Sequence, residues 1–419
     1  MKTKAVRLYG KMDLRLEEFE LPEIKEDEIL VKVIADSLCM STYKAAVLGP
    51  DHKRVPDDVA LNPIIVGHEM VTEIVEIGKR WKDAYVVGER FALQPALNYK
   101  GSMDSPGYSY QYCGGDATYM ILPFEVMYLE CLLPYKGRGL YKAALSEPYS
   151  CVIGACRSLY RTDKNSHNHF MGIQEDGRMA IIGGCGPMGL AALDYAISGE
   201  FRPRQLIVTD IDNKRLARAS KLFAKKAEER GISLICMNTA EVENPSQVLR
   251  NLTDNEGFSD ILVMVASAQV LEFSEKLLAF NGCMNFFAGP TDTEFSAKLN
   301  YYDVHYAEKH IIGTTGGNAA DMAEALDLME KDLVNPEALI THIGGLDAVA
   351  EATMHLPELS GGKKLIYTSI SLPLIDIDDL SHKANESSFY AGLATLVDKH
   401  GGVWNEEAEQ FLLTHGKAI

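Results

Sequence analysis

The sequence predicts an α/β protein in which a doubly wound parallel sheet joins a mainly β domain. Three observations predict it. Near residue 178 apolar strand-like runs begin to alternate with helical patterns. A glycine-rich turn links the first of those runs to the first helix. Ahead of them, a long stretch of short β segments is broken by Gly, Pro and Asp turns.

Taken in order, residues 1 to about 155 read as mostly β, with strand-like runs such as 29–34 and 71–77. The stretch 94–115 is rich in Gly, Ser, Tyr and Pro and reads as a surface loop. Residues 179–183 form a glycine-bounded apolar run, 187–198 a helix and 206–209 the next strand. Residues 213–229 carry Leu216, Ala219, Phe223 and Ala227 at helical spacing. Runs at 234–236, 261–265, 284–287 and 310–312 bring the strands of the alternating region to six. From about 320 the chain reads as helical, with amphipathic patterns over 321–331 and 406–413. The tail beyond about 370 contains Trp404, which suits packing on the first domain, covering a cleft or joining subunits.

The chain has 419 residues, 47% of them hydrophobic, which is enough for two cores without disulfide staples. The net charge of -18 repels nucleic acid and anionic membranes, so neither is an expected partner. It leaves room for a small anionic substrate, because a local basic pocket overrides the global field. None of the 8 cysteines forms a Cys-x-x-Cys pair, which fits reduced thiols. The N-terminal residues run straight into a strand pattern, and no apolar run reaches the length of a membrane span. The expected location is therefore cytoplasmic.

The turn Gly184-Cys185-Gly186-Pro187-Met188-Gly189 follows a predicted strand and opens a predicted helix. In that context the first glycine permits a tight turn, the second lets the backbone approach a pyrophosphate, and the third lets helix and sheet pack closely. The helix N-terminus adds free N–H groups and the positive end of its dipole. Asp210 ends the second strand near the offset at which an acid binds the cofactor ribose, and it would repel a 2′-phosphate. NAD(H) is therefore favoured over NADP(H). Arg215, five residues on, either covers the adenine or blunts that repulsion. The alternative is a glycine-rich turn without a ligand.

Cys39, His68, Glu69 and Glu147 offer thiolate, imidazole and carboxylate donors, a mixture that suits zinc. Three protein ligands would leave a fourth position open for catalysis. Singly, each has an ordinary structural reading: a buried small thiol, a hydrogen-bonded histidine, an ion-pair carboxylate. Their joint setting ahead of a nucleotide-binding sheet favours the metal.

In this order the Cys39 segment, Gly67-His68-Glu69, Glu147-Pro148 and the Gly184 turn resemble the zinc-dependent medium-chain alcohol and polyol dehydrogenases. The match covers roughly residues 1–370 and is nearest the polyol branch. The resemblance implies a GroES-like catalytic domain over 1–155 and 315–419, carrying the C-terminal extension, and a Rossmann domain over 156–314. Cys39 and His68 match the first two ligands of one catalytic zinc. Glu69 matches an acid that ligates directly in some polyol enzymes and sits behind the metal in others. Glu147 matches the third ligand, and Ser41 the hydroxyl that relays the substrate proton.

Three departures accompany the match. The lobe that holds a structural zinc in many relatives has only Cys113 here, so no structural zinc is expected. Thr42 stands where an aspartate supports the ligand histidine, so another partner must orient His68. Lys44 stands where many relatives carry a proton-shuttling histidine. It reads as a solvated lysine at a helix start, a contact to a substrate phosphate or a link in the proton path.

The implied reaction is reversible hydride transfer between a ketose and a polyol. The Cys-Met-Ser-Thr-Tyr-Lys segment and the extended tail resemble the branch that reduces L-sorbose 1-phosphate to D-glucitol 6-phosphate. An unphosphorylated polyol or a threonine-type substrate, a zinc-free quinone-reductase-like enzyme and a non-enzymatic redox sensor are the competing readings. A homo-oligomer, dimer or tetramer, is expected by analogy.

Overall fold

A computed structural model describes residues 1–359 and 361–419. The chain divides into two compact units, one of residues 1–147 with 318–419 and one of residues 148–317.

The second unit is built on a six-stranded parallel sheet. Its spatial order is Ser233–Asn238, Gln205–Asp210, Arg178–Ile182, Phe258–Val263, Leu278–Phe286 and His310–Gly313. The central strands are buried along their length, as apolar runs covered by helices on both faces must be. The chain starts at Arg178–Ile182, winds outward to Ser233–Asn238, then returns to Phe258–Val263 on the other side of its first strand. That reversal leaves a crevice at the carboxyl ends of the central strands. The helix Pro187–Ser198 begins there, with Gly186 as its N-cap. The six strands and both helices match the sequence expectation for this region.

The first unit carries an eight-stranded sheet and a three-stranded one. Strand Ile29–Leu38 lies at the centre of the larger sheet. It pairs antiparallel with Val71–Ile77 on one side and Lys363–Tyr367 on the other, and near its start with Tyr119–Leu122. The register sets Lys364 opposite Leu38 and Val71 opposite Ala35. Cys39, the His68-Glu69 pair and Lys363 therefore meet at one end of the sheet, although they are distant in sequence.

Two expectations need correction. The chain beyond 320 is not simply helical: Ile340–Gly345, Lys363–Tyr367 and Ile375–Asp376 are strands of the first unit's sheet. Lys363–Tyr367 reads poorly as a strand because it begins with two lysines, both of them buried. Nor is 94–115 a surface loop throughout. Ser105, Tyr108 and Cys113 are buried, and a Cβ on Gly107 would press into the Gly67 carbonyl.

The tail packs on the first unit. Trp404 is fully buried, and its indole N–H donates to the Tyr367 hydroxyl at 2.8 Å. The Glu409 carboxylate accepts from the backbone N–H groups of Leu140 and Tyr141 at 2.6 and 2.8 Å. It also accepts from the Tyr367 hydroxyl at 2.8 Å.

Candidate active site

The helix Met40–Leu48 starts directly after the central strand, and Cys39 is its N-cap residue. Cys39 Sγ, a ring nitrogen of His68 and a carboxylate oxygen of Glu69 lie within 4.8 Å of one another. Ser41 lies in the first turn of that helix, with its hydroxyl 3.0 Å from Cys39 Sγ and 3.2 Å from His68 Nε2. Burial, joined by the Glu69 charge, pushes the Cys39 thiol up to about 12. Burial likewise lowers His68 to about 4, so the imidazole is neutral and keeps a free lone pair for a ligand.

His68 Nδ1 has its own partner, the Thr42 hydroxyl at 3.3 Å. The residue that departs from the expected aspartate thus occupies the orienting position itself, as a neutral group. Tyr108, which the loop reading passed over, donates its hydroxyl to Ser41 Oγ at 2.8 Å and stands 3.2 Å from His68 Nε2. Burial holds the Tyr108 phenol well above its ordinary value, so it stays a proton donor.

Glu69 is fixed from three sides. Its backbone N–H donates to Asp36 Oδ1 at 2.7 Å, and its carboxylate accepts from the Ser37 hydroxyl and from Lys363. Lys363 is 4% exposed, so its ammonium depends on that partner. Burial alone would lower the Lys363 pKa; the Glu69 and Cys39 charges override it and raise it. Asp36 and Asp116 lie behind this pair as two fully buried carboxyls, both raised by burial, Asp116 to about 7. Nothing in the sequence signalled Lys363, which is separated from Glu69 by 294 residues.

Glu147 sits in the first turn of the helix Ser146–Arg157, half-buried, and its charge reaches Cys39, Tyr108 and Lys363. Lys44 lies in the middle of the helix Met40–Leu48, not at its start, and is half-buried. The expectation of a solvated lysine at a helix start is corrected accordingly. A thiol, a neutral imidazole and the Glu69 carboxylate converging on one point fit a zinc ion, and Glu147 is not among the residues whose donor atoms lie within 4.8 Å of one another.

In the second unit, the turn leaves open space at Gly186, where an added Cβ would meet nothing within 4 Å. At Gly189 an added Cβ would press into the Gly184 backbone. The first opening admits a ligand to the backbone; the second contact requires glycine for close packing. Pro187 and Met188 form the first turn of the helix that follows. Asp210 is buried at its strand end, where Oδ2 accepts from the Cys185 N–H at 3.1 Å and Oδ1 from the Ile211 N–H at 2.8 Å. Oδ1 also accepts from the Asp212 N–H at 3.2 Å, so the lone pair left for a further donor is on Oδ2. Arg215 is exposed, with its guanidinium 3.9 Å from Asp212. The strand, turn and helix fit a dinucleotide.

Two family models match the chain: "Alcohol dehydrogenase GroES-like domain" over residues 25–130 and "Zinc-binding dehydrogenase" over residues 187–331. An L-sorbose 1-phosphate reductase of Klebsiella pneumoniae is 44% identical over 417 residues, 100% of this chain and 98% of the relative. The chain is a zinc-type medium-chain dehydrogenase. A mannitol-1-phosphate 5-dehydrogenase of Aliivibrio fischeri is 46% identical over 412 residues, 98% of this chain and 97% of the relative. Among solved structures, the 2R,3R-butanediol dehydrogenase of Bacillus subtilis superposes with a TM-score of 0.71 at 21% identity. It covers 87% of this chain and 99% of that one, and the likeness concerns the fold. Membership in this family makes the chain an oxidoreductase that uses zinc and a nicotinamide cofactor. No described helix is long and apolar enough to cross a membrane.

Proposed function

We propose that this dehydrogenase interconverts a ketose phosphate and a polyol phosphate, with L-sorbose 1-phosphate and D-glucitol 6-phosphate as the first pair to test. The observation that carries the reaction class is the convergence of Cys39, His68 and Glu69, with Ser41 beside them. The phosphorylated substrate is supported by two relatives of nearly full coverage that are both named for sugar phosphates.

In this reading Cys39, His68 and Glu147 hold one zinc ion, and Glu69 stays behind it. The bond from Lys363 to both carboxylate oxygens of Glu69 favours that division of roles. When bound, zinc supplies Lewis acidity at the substrate oxygen, and the nicotinamide supplies or takes the hydride. Thr42 fixes the His68 ring through Nδ1, so that Nε2 faces the site. Ser41 delivers the proton to the substrate oxygen during reduction and removes it during oxidation. Tyr108 holds the Ser41 hydroxyl in place through the 2.8 Å bond, and Lys44 passes the proton outward.

Gly184, Gly186, Pro187, Met188 and Gly189 cradle the pyrophosphate, Asp210 binds the ribose, and Arg215 lies over the adenosine end. The Asp210 carboxylate makes NAD(H) the preferred cofactor over NADP(H). The enzyme is proposed to act in the cytoplasm as a dimer or tetramer. All eight cysteines are free thiols, which suits a reducing compartment.

The test is a panel of ketoses and their phosphates, followed by NADH and NADPH absorbance. The expected result is turnover of the phosphates with NADH. Equal use of free sorbose would remove the phosphate from the reading, and a strong NADPH preference would remove the role of Asp210. Metal analysis of Glu147→Gln and Glu69→Gln separates the two carboxylates: only the first is expected to lose the zinc.

A further inference from the structure

The sugar-phosphate reading leaves the phosphate without a named partner, and the first unit holds a candidate beside Tyr108. The chain leaves the helix Met40–Leu48 through the short turn Gly49–Asp51 into His52-Lys53-Arg54. The His52 ring stacks on the Tyr108 ring at 5.8 Å between centroids, with planes 16° apart. The Arg54 guanidinium lies 5.4 Å from the centre of the same ring and donates to the Ser105 hydroxyl at 3.4 Å. The opposite end of Tyr108 carries the hydroxyl that meets Ser41 and His68. One tyrosine therefore spans from the donor cluster to a cationic wall.

Lys53 and Arg54 bring two cations to that wall. Burial lowers the His52 pKa, and the charges of Arg54, Lys53 and Lys44 lower it further. The Arg54 charge reaches His68 as well. Among the described residues no carboxylate forms an ion pair with His52, Lys53 or Arg54. The neighbouring Asp51 is engaged by Lys11. Gathering like charges is unfavourable unless an anion completes the site. It is all the more unexpected in a chain of net charge -18, which has acids to spare.

We propose that Arg54, assisted by Lys53, binds the phosphate of the substrate, with the buried Tyr108 linking that cation to Ser41. This rests on the reading of the substrate as a sugar phosphate. A dianionic phosphate ester is the ligand that suits a planar guanidinium with an ammonium group beside it in sequence. Neutral His52 offers a ring nitrogen to a sugar hydroxyl. Selection for the phosphorylated sugar then depends on a loop that does not touch the metal ligands.

The same cations could meet a phosphate of the cofactor instead, and the experiment separates the two. Steady-state kinetics are measured for the parent enzyme, Arg54→Gln and Arg54→Lys, with L-sorbose 1-phosphate, L-sorbose and NADH. Inorganic phosphate serves as the competing anion. Loss of a charge-assisted bond is expected to raise KM for the ketose phosphate about 10- to 100-fold in Arg54→Gln. Inhibition by inorganic phosphate should weaken by a similar factor, while KM for NADH and bound zinc stay at parent values. Arg54→Lys should recover part of the loss, since it keeps the charge without the fork. An unchanged KM for the ketose phosphate in Arg54→Gln, in an enzyme that prefers that substrate, would overturn the assignment alone. A rise in KM for NADH in place of the ketose phosphate would also overturn it. If the parent shows no preference for the phosphorylated ketose, the substrate reading fails too, and the parent enzyme alone reveals it.

Discussion

Thr42 illustrates how one side chain can change a metal site without changing its ligands. An aspartate behind the imidazole would add charge to the ring; the Thr42 hydroxyl only orients it, at 3.3 Å from Nδ1. Thr42→Val should leave the fold intact and weaken zinc binding by about ten-fold, read by competition with a chelator. Lys363 is a harsher case. Lys363→Met would strand the Glu69 carboxylate in the interior, where it is 1% exposed, with only Ser37 as a side-chain donor. Breaking such a buried pair is expected to destabilise the protein by about 3–5 kcal/mol in urea unfolding. A double variant, Lys363→Met with Glu69→Gln, should recover much of that loss.

At the scale of elements, the short helix Leu140–Ala144 shows what the tail contributes. A five-residue helix cannot satisfy its first N–H groups internally, and Glu409 from the helix Glu406–His415 accepts two of them. Burial pushes the Glu409 carboxyl up to about 7. A raised carboxyl pKa stabilises the fold below the ordinary carboxylate value, and that stability is lost as pH rises through about 7. Urea unfolding should therefore lose on the order of 2 kcal/mol between about pH 5 and pH 8, and Glu409→Gln should flatten that window. Legibility follows the same scale. The Gly184 turn was readable because its strand, turn and helix are adjacent and each glycine has a local role. The Cys39 and His68-Glu69 segments were readable as motifs. Lys363–Tyr367 was not, because its first two residues look like surface and its partner strand ends at Leu38. Tyr108 was hidden by composition: a Gly-, Ser- and Pro-rich stretch suggests solvent, yet Gly107 there permits close backbone approach to Gly67.

For the whole molecule, the six-stranded unit is one continuous segment, 148–317, whereas the other unit needs both 1–147 and 318–419. Removing residues 371–419 would expose the apolar surface that Leu380, Leu393, Trp404 and Leu412 now cover. That truncation should abolish zinc binding and cooperative unfolding of the first unit, while 148–317 retains affinity for NADH by fluorescence titration. The resemblance already assigned residues 315–419 to the first domain, but only the assembled sheet revealed that residues beyond 360 supply strands to it.

This interleaving has a consequence for biosynthesis. Chains emerge from the ribosome N-terminus first, and domains generally fold as units as they appear. Here the segment that leads cannot finish first. Residues 1–147 must wait with their central strand lacking the partner Lys363–Tyr367, and with Leu140 and Tyr141 lacking Glu409. The dinucleotide unit has all its residues once 317 has left the ribosome exit tunnel, before the other unit has all of its own. The Glu69 carboxylate beside Cys39 and His68 thereby gains its Lys363 partner only after the residues of the cofactor cradle have been made.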